Sequence, residues 1–422
     1  MKILLVNPPS GFLIDDSTFP SLGLLYLSAS LKAEGFADVQ VLDLNGKEAV
    51  PEAIDADIVG FSSNTPQFPA VAQLVGRFRS INRNTKAIYV IGGPHVSARA
   101  DDALQDFDAI VMGEGERAIV DIAKLYERGH VFDHDIIKRG YIKDINIIPF
   151  PDRDGIDLRK YHYLMNGRPT TTVLTSRGCP FQCAFCANNA WGKTLRMRSP
   201  ENVFEEIAML KERYGYSSFM FFDDTMTINR TRMHHICDLM GSLNVIYRCF
   251  IRSDTVDRAV LRKMRSSGCV EVGVGIESGS QRILDIVNKG ETVRKNMEAI
   301  KMSKAEGLRV KGLFIIGLPG ENHESIAETI SFLEEADLDD VDITVYTPYP
   351  GSAIYKKRAE YDIHFKDDYE HAWFKGRPDN YSTNVSTSSL SSKDILSYRK
   401  RLEKRFKKKA LEGVEADVCS GS

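Results

Sequence analysis

Residues Thr175-Ser176-Arg177-Gly178-Cys179-Pro180-Phe181-Gln182-Cys183-Ala184-Phe185-Cys186 hold three cysteines at CxxxCxxC spacing. Thiolates are the preferred ligands of iron–sulfur clusters, and a four-iron cluster ordinarily takes one Cys per iron. Three ligands leave one iron open to another molecule. A zinc ribbon needs a second CxxC pair, whereas Cys237, Cys249 and Cys269 stand alone and are expected to be buried small hydrophobes.

The elements that must position this loop follow one pattern. Thr171 to Ser176, β-branched and apolar, leads into the cysteines. Phe219 to Phe222 leads into Asp223–Asp224, Ile246 to Ile251 into Arg252–Ser253–Asp254, and Val270 to Val274 into Gly275–Ile276–Glu277–Ser278. Val310 to Ile316 then leads into Gly317–Leu318–Pro319–Gly320, and Val341 to Tyr346 into Thr347–Pro348–Tyr349–Pro350–Gly351. Helical patterns separate the strands. The clearest has Ser199 as N-cap, Pro200 at the first helical position, and Val203, Ile207 and Leu210 on one face. Six βα units in sequence predict a partial (β/α)6 barrel over residues 169–355, with chemistry at the carboxyl ends of its strands.

The first part of the chain is a second α/β unit, expected over residues 1–135. Apolar runs Lys2 to Asn7, Val39 to Leu42, Ile58 to Ser62, Ala87 to Ile91 and Ala109 to Met112 alternate with helical stretches. That alternation predicts a doubly wound, Rossmann-like parallel sheet. Ligands of such sheets sit beyond the strand carboxyl ends. Those ends are Pro8–Pro9–Ser10–Gly11, Ser62–Ser63–Asn64, Gly92–Gly93–Pro94–His95 and Gly113–Glu114–Gly115–Glu116. Their small residues let backbone approach a large flat or phosphate-bearing ligand. No GxGxxG follows the first strand, which argues against a dinucleotide. Residues 136–168, with Ile147–Ile148–Pro149–Phe150–Pro151, read as a linker. Residues 356–422 read as a polar loop ("RPDNYSTNVSTSSLSS") and a last helix from about Ser392, with Ile395, Tyr398, Leu402 and Phe406 as its docking stripe.

Composition fits an enzyme with a sizeable core. Of 422 residues, 43% are hydrophobic and 27% charged, with a net charge of −3. That balance gives no reason to expect nucleic acid or an anionic membrane as partner. The apolar start is stopped by Pro8 and Pro9, and no apolar run approaches membrane-spanning length, so a cytoplasmic protein is expected. Seven cysteines, an odd number, suit metal ligation plus buried thiols.

The CxxxCxxC loop, with an aromatic residue before its last Cys, resembles that of the radical S-adenosylmethionine (SAM) enzymes. The segments "VNPPSG", "SLGLLYLSASL", "IVGFSSNT", "VIGGPHVSA" and "AIVMGEGE" resemble the cobalamin-binding domain that precedes many radical SAM cores. The resemblance implies a 4Fe-4S cluster on Cys179, Cys183 and Cys186, with SAM on the open iron. Asp223 and Asp224 would then accept from the SAM ammonium, where many family members instead carry Gly-Gly-Glu. Arg252 would fork onto the SAM carboxylate, with an ion pair to Asp254 as its structural alternative. Glu277 or Ser278 would take the ribose, and Phe185, Phe222, Ile315 and Pro348 would surround the adenosine. Cobalamin would lie over Pro8, Ser62, Ser63, Asn64, Gly92, Gly93, Pro94, His95, Gly113, Glu114, Gly115 and Glu116. The DxHxxG motif that supplies an imidazole to cobalt is missing after the first strand. His95 is the sole histidine expected in these loops, as a hydrogen-bonding or surface residue rather than a cobalt ligand.

The implied activity is cleavage of SAM to a 5′-deoxyadenosyl radical, followed by cobalamin-dependent methylation of an unactivated carbon in a small-molecule substrate. An external one-electron donor such as a flavodoxin or ferredoxin is also implied. Alternatives within the resemblance are a dehydratase, epimerase, dehydrogenase or cyclase without methyl transfer. Methylthiotransferases need cysteines in the first domain, and none precedes Cys179. A non-enzymatic iron–sulfur electron carrier is disfavoured, because a simple carrier does not leave an iron unligated.

Overall fold

The computed structural model describes residues 1–13, 15–46, 49–188, 190–367 and 382–408. The chain forms two compact units. The first comprises Met1–His162 with Ala187–Gly192, and the second Tyr163–Cys186 with the chain from Lys193 onward.

The first unit is built on six parallel strands: β1 (Lys2–Asn7), β2 (Asp38–Asp43), β3 (Ile58–Ser62), β4 (Ile88–Gly92), β5 (Ala109–Met112) and β6 (Asp135–Lys138). Their order is β2-β1-β3-β4-β5-β6, so the winding direction reverses between β1 and β3. Strand β1 is interior to the sheet and reads as an unbroken buried run, Ile3 to Val6, because helices cover both faces of a parallel sheet. Ile3, Leu5, Ile58, Val90 and Val111 form one core with Leu24 and Leu31 of the helix Leu22–Ala33. On the opposite face Phe61 meets Phe78 and Phe107 edge-on, at ring-centroid distances of 5.4 and 5.8 Å. Burying each such side chain contributes about 1.5–3 kcal/mol. Strand β6 was not expected from the sequence. It is an edge strand whose pattern alternates half-buried with exposed, which leaves it little apolar signal.

The second unit carries a short antiparallel edge strand, β7 (Leu164–Met165), against β8 (Arg168–Val173). Next comes a two-stranded ribbon, β9 (Ser176–Arg177) with β10 (Arg196–Met197). The remaining strands are β11 (Ser218–Phe221), β12 (Ile246–Ile251), β13 (Cys269–Glu277), β14 (Arg309–Ile316) and β15 (Asp340–Val345). Strands β8, β11, β12, β13, β14 and β15 are parallel and adjacent in chain order. This is the expected six-unit partial barrel. The first predicted strand has its expected length but ends three residues earlier than expected, because the chain bends at Leu174–Thr175 and Ser176 pairs with Met197 instead.

Alternation along β14 separates two environments. Val310, Phe314 and Ile316 are buried under the helices, with Phe314 6.1 Å from Phe332 of the helix His323–Glu335. Leu313 and Ile315 point to the inner face and stay half-exposed. The helix Pro200–Tyr214 starts at Ser199, whose side chain accepts from the Asn202 N–H, and stops at Gly215 with φ 75°. At the C-terminal end the helix Ser392–Phe406 buries Ile395 and Leu402 of its predicted stripe. The expected polar loop lies partly outside the described residues. Among the described residues, no helix is long and apolar enough to cross a membrane.

Candidate functional site

The cysteine loop is closed at its base by the β9/β10 ribbon. Arg198 N–H donates to the Thr175 carbonyl at 2.9 Å, and Arg232 donates to the carbonyls of Thr175 (2.8 Å) and Arg198 (2.7 Å). Asp223 is buried directly beneath. Its carboxylate accepts from the Thr175 N–H (3.1 Å), from Thr175 Oγ1 (2.8 Å) and from Ser176 Oγ. Its hydrogen-bonding capacity therefore goes into the turn that launches the loop, whereas Asp224 is exposed and beside Cys179 and Cys186.

The crest of the loop rests on a segment that sequence reasoning missed. Ala184 N–H donates to the Val287 carbonyl (2.8 Å), and Asn288 Nδ2 donates to the Gln182 carbonyl (3.1 Å). Arg252 donates to the Lys289 carbonyl (3.0 Å) and approaches Cys183 Sγ at 3.7 Å. Arg252 also forks onto Asp254 at 3.1 and 3.0 Å, so the ion-pair alternative describes its geometry. Lys289 is buried, with Nζ 2.7 Å from Glu277 and 3.3 Å from Glu291. Glu291 in turn accepts from the Ser253 N–H (2.7 Å) and Oγ (2.6 Å). Asn288 and Gly290 take left-handed φ angles of 50° and 73°. The string Asn288–Lys289–Gly290–Glu291 looks like an ordinary polar turn, and only its Asn/Gly pattern carried a signal.

Cys179 and Cys183 are half-buried; Cys186 is reached by solvent yet ringed by protein. Burial raises all three thiol pKa values, that of Cys186 to about 12. The carboxylate of Asp224 and the other two thiols push Cys186 the same way, while Lys289 and Arg252 oppose burial at Cys183. Among the described residues no three His, Cys, Asp or Glu side chains group around a single ion. A cluster that takes one thiolate per iron needs a wider spread. Three mutually interacting thiols flanked by two cations are a donor set that fits it, once binding displaces the protons.

Glu277 ends β13 with φ 65°, rare for a residue with a side chain, and is paired with Lys289. Ser278 departs from the expectation of a ribose ligand. Its hydroxyl is fully buried, 3.3 Å from Thr329 Oγ1, because it packs under the helix His323–Glu335. Phe185, Phe222, Ile315 and Pro348 are all half-exposed. Phe222 and Phe250, 6.4 Å apart, are half-exposed, as are Leu313 and Ile315 on the inner face of β14. Deeper on that face are buried ion pairs, Arg248–Glu271 (3.4 Å), Lys311–Asp340 (3.1 Å) and Lys311–Asp342 (3.2 Å).

In the first unit the strand ends divide into open and inward residues. Ser62, Asn64, Gly92, Gly93, Pro94, Gly113 and Gly115 retain exposure; Ser63, His95, Glu114 and Glu116 are buried, and so, against expectation, is Pro8, which directly follows the buried strand β1. Glu114 accepts from the Ile142 N–H at 2.7 Å. His95 corrects the expectation of a ligand-facing loop histidine. It is fully buried, stacked on Phe68 at 4.2 Å, with Thr65 Oγ1 and Asp102 each 3.3 Å from a ring nitrogen. Burial lowers its pKa to about 4 against the pull of Asp102. His162, exposed, is hydrogen-bonded to Asp15 in the loop after β1 at 2.9 Å. The open strand ends thus present backbone and small side chains, which fits a corrinoid held without His95 on cobalt.

Comparison with known proteins agrees with both units. Residues 173–333 match the Radical SAM superfamily and residues 16–123 match the B12 binding domain. An uncharacterised methyltransferase of Pyrococcus horikoshii is 33% identical, over 84% of this chain and 83% of its own length. The anaerobic magnesium-protoporphyrin IX monomethyl ester cyclase of Rubrivivax gelatinosus is 27% identical, over 85% and 70%. Among solved structures, the radical SAM methyltransferase TsrM of Kitasatospora setae, with cobalamin and a [4Fe-4S] cluster bound, superposes with a TM-score of 0.68 at 16% identity. That match covers 87% of this chain and 81% of TsrM.

Proposed function

This chain belongs to the cobalamin-dependent radical SAM enzymes, and from that premise we propose that it methylates an unactivated carbon of a small-molecule substrate. The observation that carries the proposal is the pairing of a three-thiol loop, one ligand short of a four-iron cluster, with a B12-binding unit in the same chain. When bound, the cluster and SAM supply a 5′-deoxyadenosyl radical and cobalamin supplies the methyl group.

The protein's own residues have separable tasks. Cys179, Cys183 and Cys186 hold three irons, and Arg252, Asp223 and the segment Val287–Lys289 keep the loop in one conformation. Asp224, exposed next to Cys179 and Cys186, offers a carboxylate to the SAM ammonium. Glu277 offers one to its ribose. Phe222, Phe250, Leu313 and Ile315 shield the reacting carbon from water and orient the substrate. Ser62, Asn64, Gly92 and Gly113 give the corrinoid a surface of small groups. A flavodoxin or ferredoxin is the proposed electron donor.

The test is product analysis with protein loaded anaerobically with iron, sulfide and hydroxocobalamin. Under methyl transfer, SAM is converted both to 5′-deoxyadenosine and, in step with bound corrinoid, to S-adenosylhomocysteine. Formation of 5′-deoxyadenosine alone, whatever the corrinoid content, would overturn methyl transfer. It would favour a ring-forming or dehydrogenating reaction, the alternative supported by the cyclase relative.

A further inference from the structure

Lys289 lies in a turn between the helices Gln281–Ile286 and Val293–Ala305, where a lysine would ordinarily be solvated. Here its side chain is only 5% exposed. Burying an ammonium costs several kcal/mol unless it is well paired. Its pairing is two-sided, 2.7 Å to Glu277 Oε1 and 3.3 Å to Glu291 Oε2. Glu277 carries its own strain at φ 65°. A non-glycine residue in that region costs about 1–3 kcal/mol and persists where its surroundings over-determine it, typically at functional sites. The same turn supports the cysteine loop through Val287, Asn288 and the Lys289 carbonyl.

We propose that Lys289 is a positioning residue that locks Glu277 at the end of β13 and sets a fixed positive charge in the turn that supports the cysteine loop. The inference rests on the cluster assignment made above and goes beyond it by naming what tunes that cluster. Reduction adds a negative charge to the cluster, and potentials of such clusters follow net charge and hydrogen bonding around the sulfurs. A buried cation that cannot move away stabilises the reduced form. Glu277 and Glu291 keep the ammonium in place, and without it they would remain as uncompensated negative charges next to the loop.

The experiment is a reductive titration of the reconstituted holoenzyme followed by electron paramagnetic resonance, with iron content measured in parallel. Lys289→Gln should move the cluster midpoint potential to a more negative value, and Lys289→Arg should hold it near that of the wild type. Glu277→Gln should move it the opposite way, since it leaves the ammonium less compensated. Full iron in Lys289→Gln with an unchanged potential would overturn the proposal. Should Lys289→Gln fail to retain iron, Glu277→Gln decides, a positive shift supporting the proposal and no shift overturning it. Failure of the wild type itself to give a reducible four-iron signal would instead overturn the cluster assignment.

Discussion

The guanidinium of Arg252 lies over the ring of Phe181, with its central carbon 3.6 Å from the ring centroid. Arg252 follows β12 and Phe181 is in the cysteine loop, so this stack joins a strand end to the loop while the same side chain grips Asp254, the Lys289 carbonyl and Cys183 Sγ. A lysine has neither the fork nor the planar face to replace it.

Arg252→Lys and Arg252→Ala should therefore both lose iron to a chelator faster than the wild type. Breaking so buried a pair should also lower stability by about 3 kcal/mol. Anaerobic chelation kinetics and melting curves measure the two effects. Wild-type iron retention in Arg252→Ala would show that the loop does not depend on this contact.

Replacing Cys179, Cys183 and Cys186 together should abolish iron binding and all SAM cleavage. Small replacements of Cys237, Cys249 and Cys269 should leave both, because these thiols are buried in the core of the same unit, Cys237 with its Sγ 3.7 Å from the Tyr247 hydroxyl. Iron and sulfide analysis after anaerobic reconstitution is the check. Full iron in the first variant would overturn the cluster assignment.

The first unit calls for a different choice of variants than its sequence invites. A Cβ on Gly93 would stand 2.6 Å from the Ser63 carbonyl oxygen at φ 107°, and one on Gly115 would stand 2.9 Å from Leu27 Cδ2. Both glycines answer to protein packing, so Gly93→Ala should lower stability by about 2–4 kcal/mol with or without cobalamin. Ser62→Trp, at the half-exposed end of β3, should leave the melting temperature near wild type and weaken hydroxocobalamin binding at least tenfold. Unchanged binding there would remove β3 from the corrinoid surface.

What was legible in the sequence is what periodicity and local chemistry encode. The continuous runs of β1 and β3 and the succession of βα units after the cysteine loop pointed to both sheets, and CxxxCxxC pointed to the thiols. Edge strand β6 escaped because a half-exposed tetrapeptide has no clear period. Side-chain direction escaped too. His95, Ser278 and Ser63 stand at strand ends as expected, but each points into the body, and sequence position does not encode that turn. Lys289 and Arg232 were hidden because their partners, Glu277 and the Thr175 carbonyl, are distant in the chain.

A final prediction concerns pH and Glu321, at the turn after β14. Its carboxyl is fully buried, with Oε2 accepting from the Gly317 N–H at 2.6 Å, Thr387 Oγ1 donating to its backbone carbonyl, and Arg282 as the nearby cation. Burial raises its pKa from 4.5 to about 8, against the pull of the Gly317 and Leu318 N–H groups and Arg282. The folded protein thus keeps a proton that the unfolded chain releases above its own pKa near 4.5. The contribution of Glu321 to stability is fully present below pH 4.5, falls as pH rises through about 8, and is constant beyond that. The total change is on the order of a few kcal/mol. Glu321→Gln keeps an acceptor for Gly317 and has no proton to lose, so its stability relative to wild type should rise between pH 5 and pH 9, a window set by those two pKa values. Denaturant unfolding of both proteins across that range measures the difference, and a difference that stays constant with pH would mean that Glu321 is ionised in the fold.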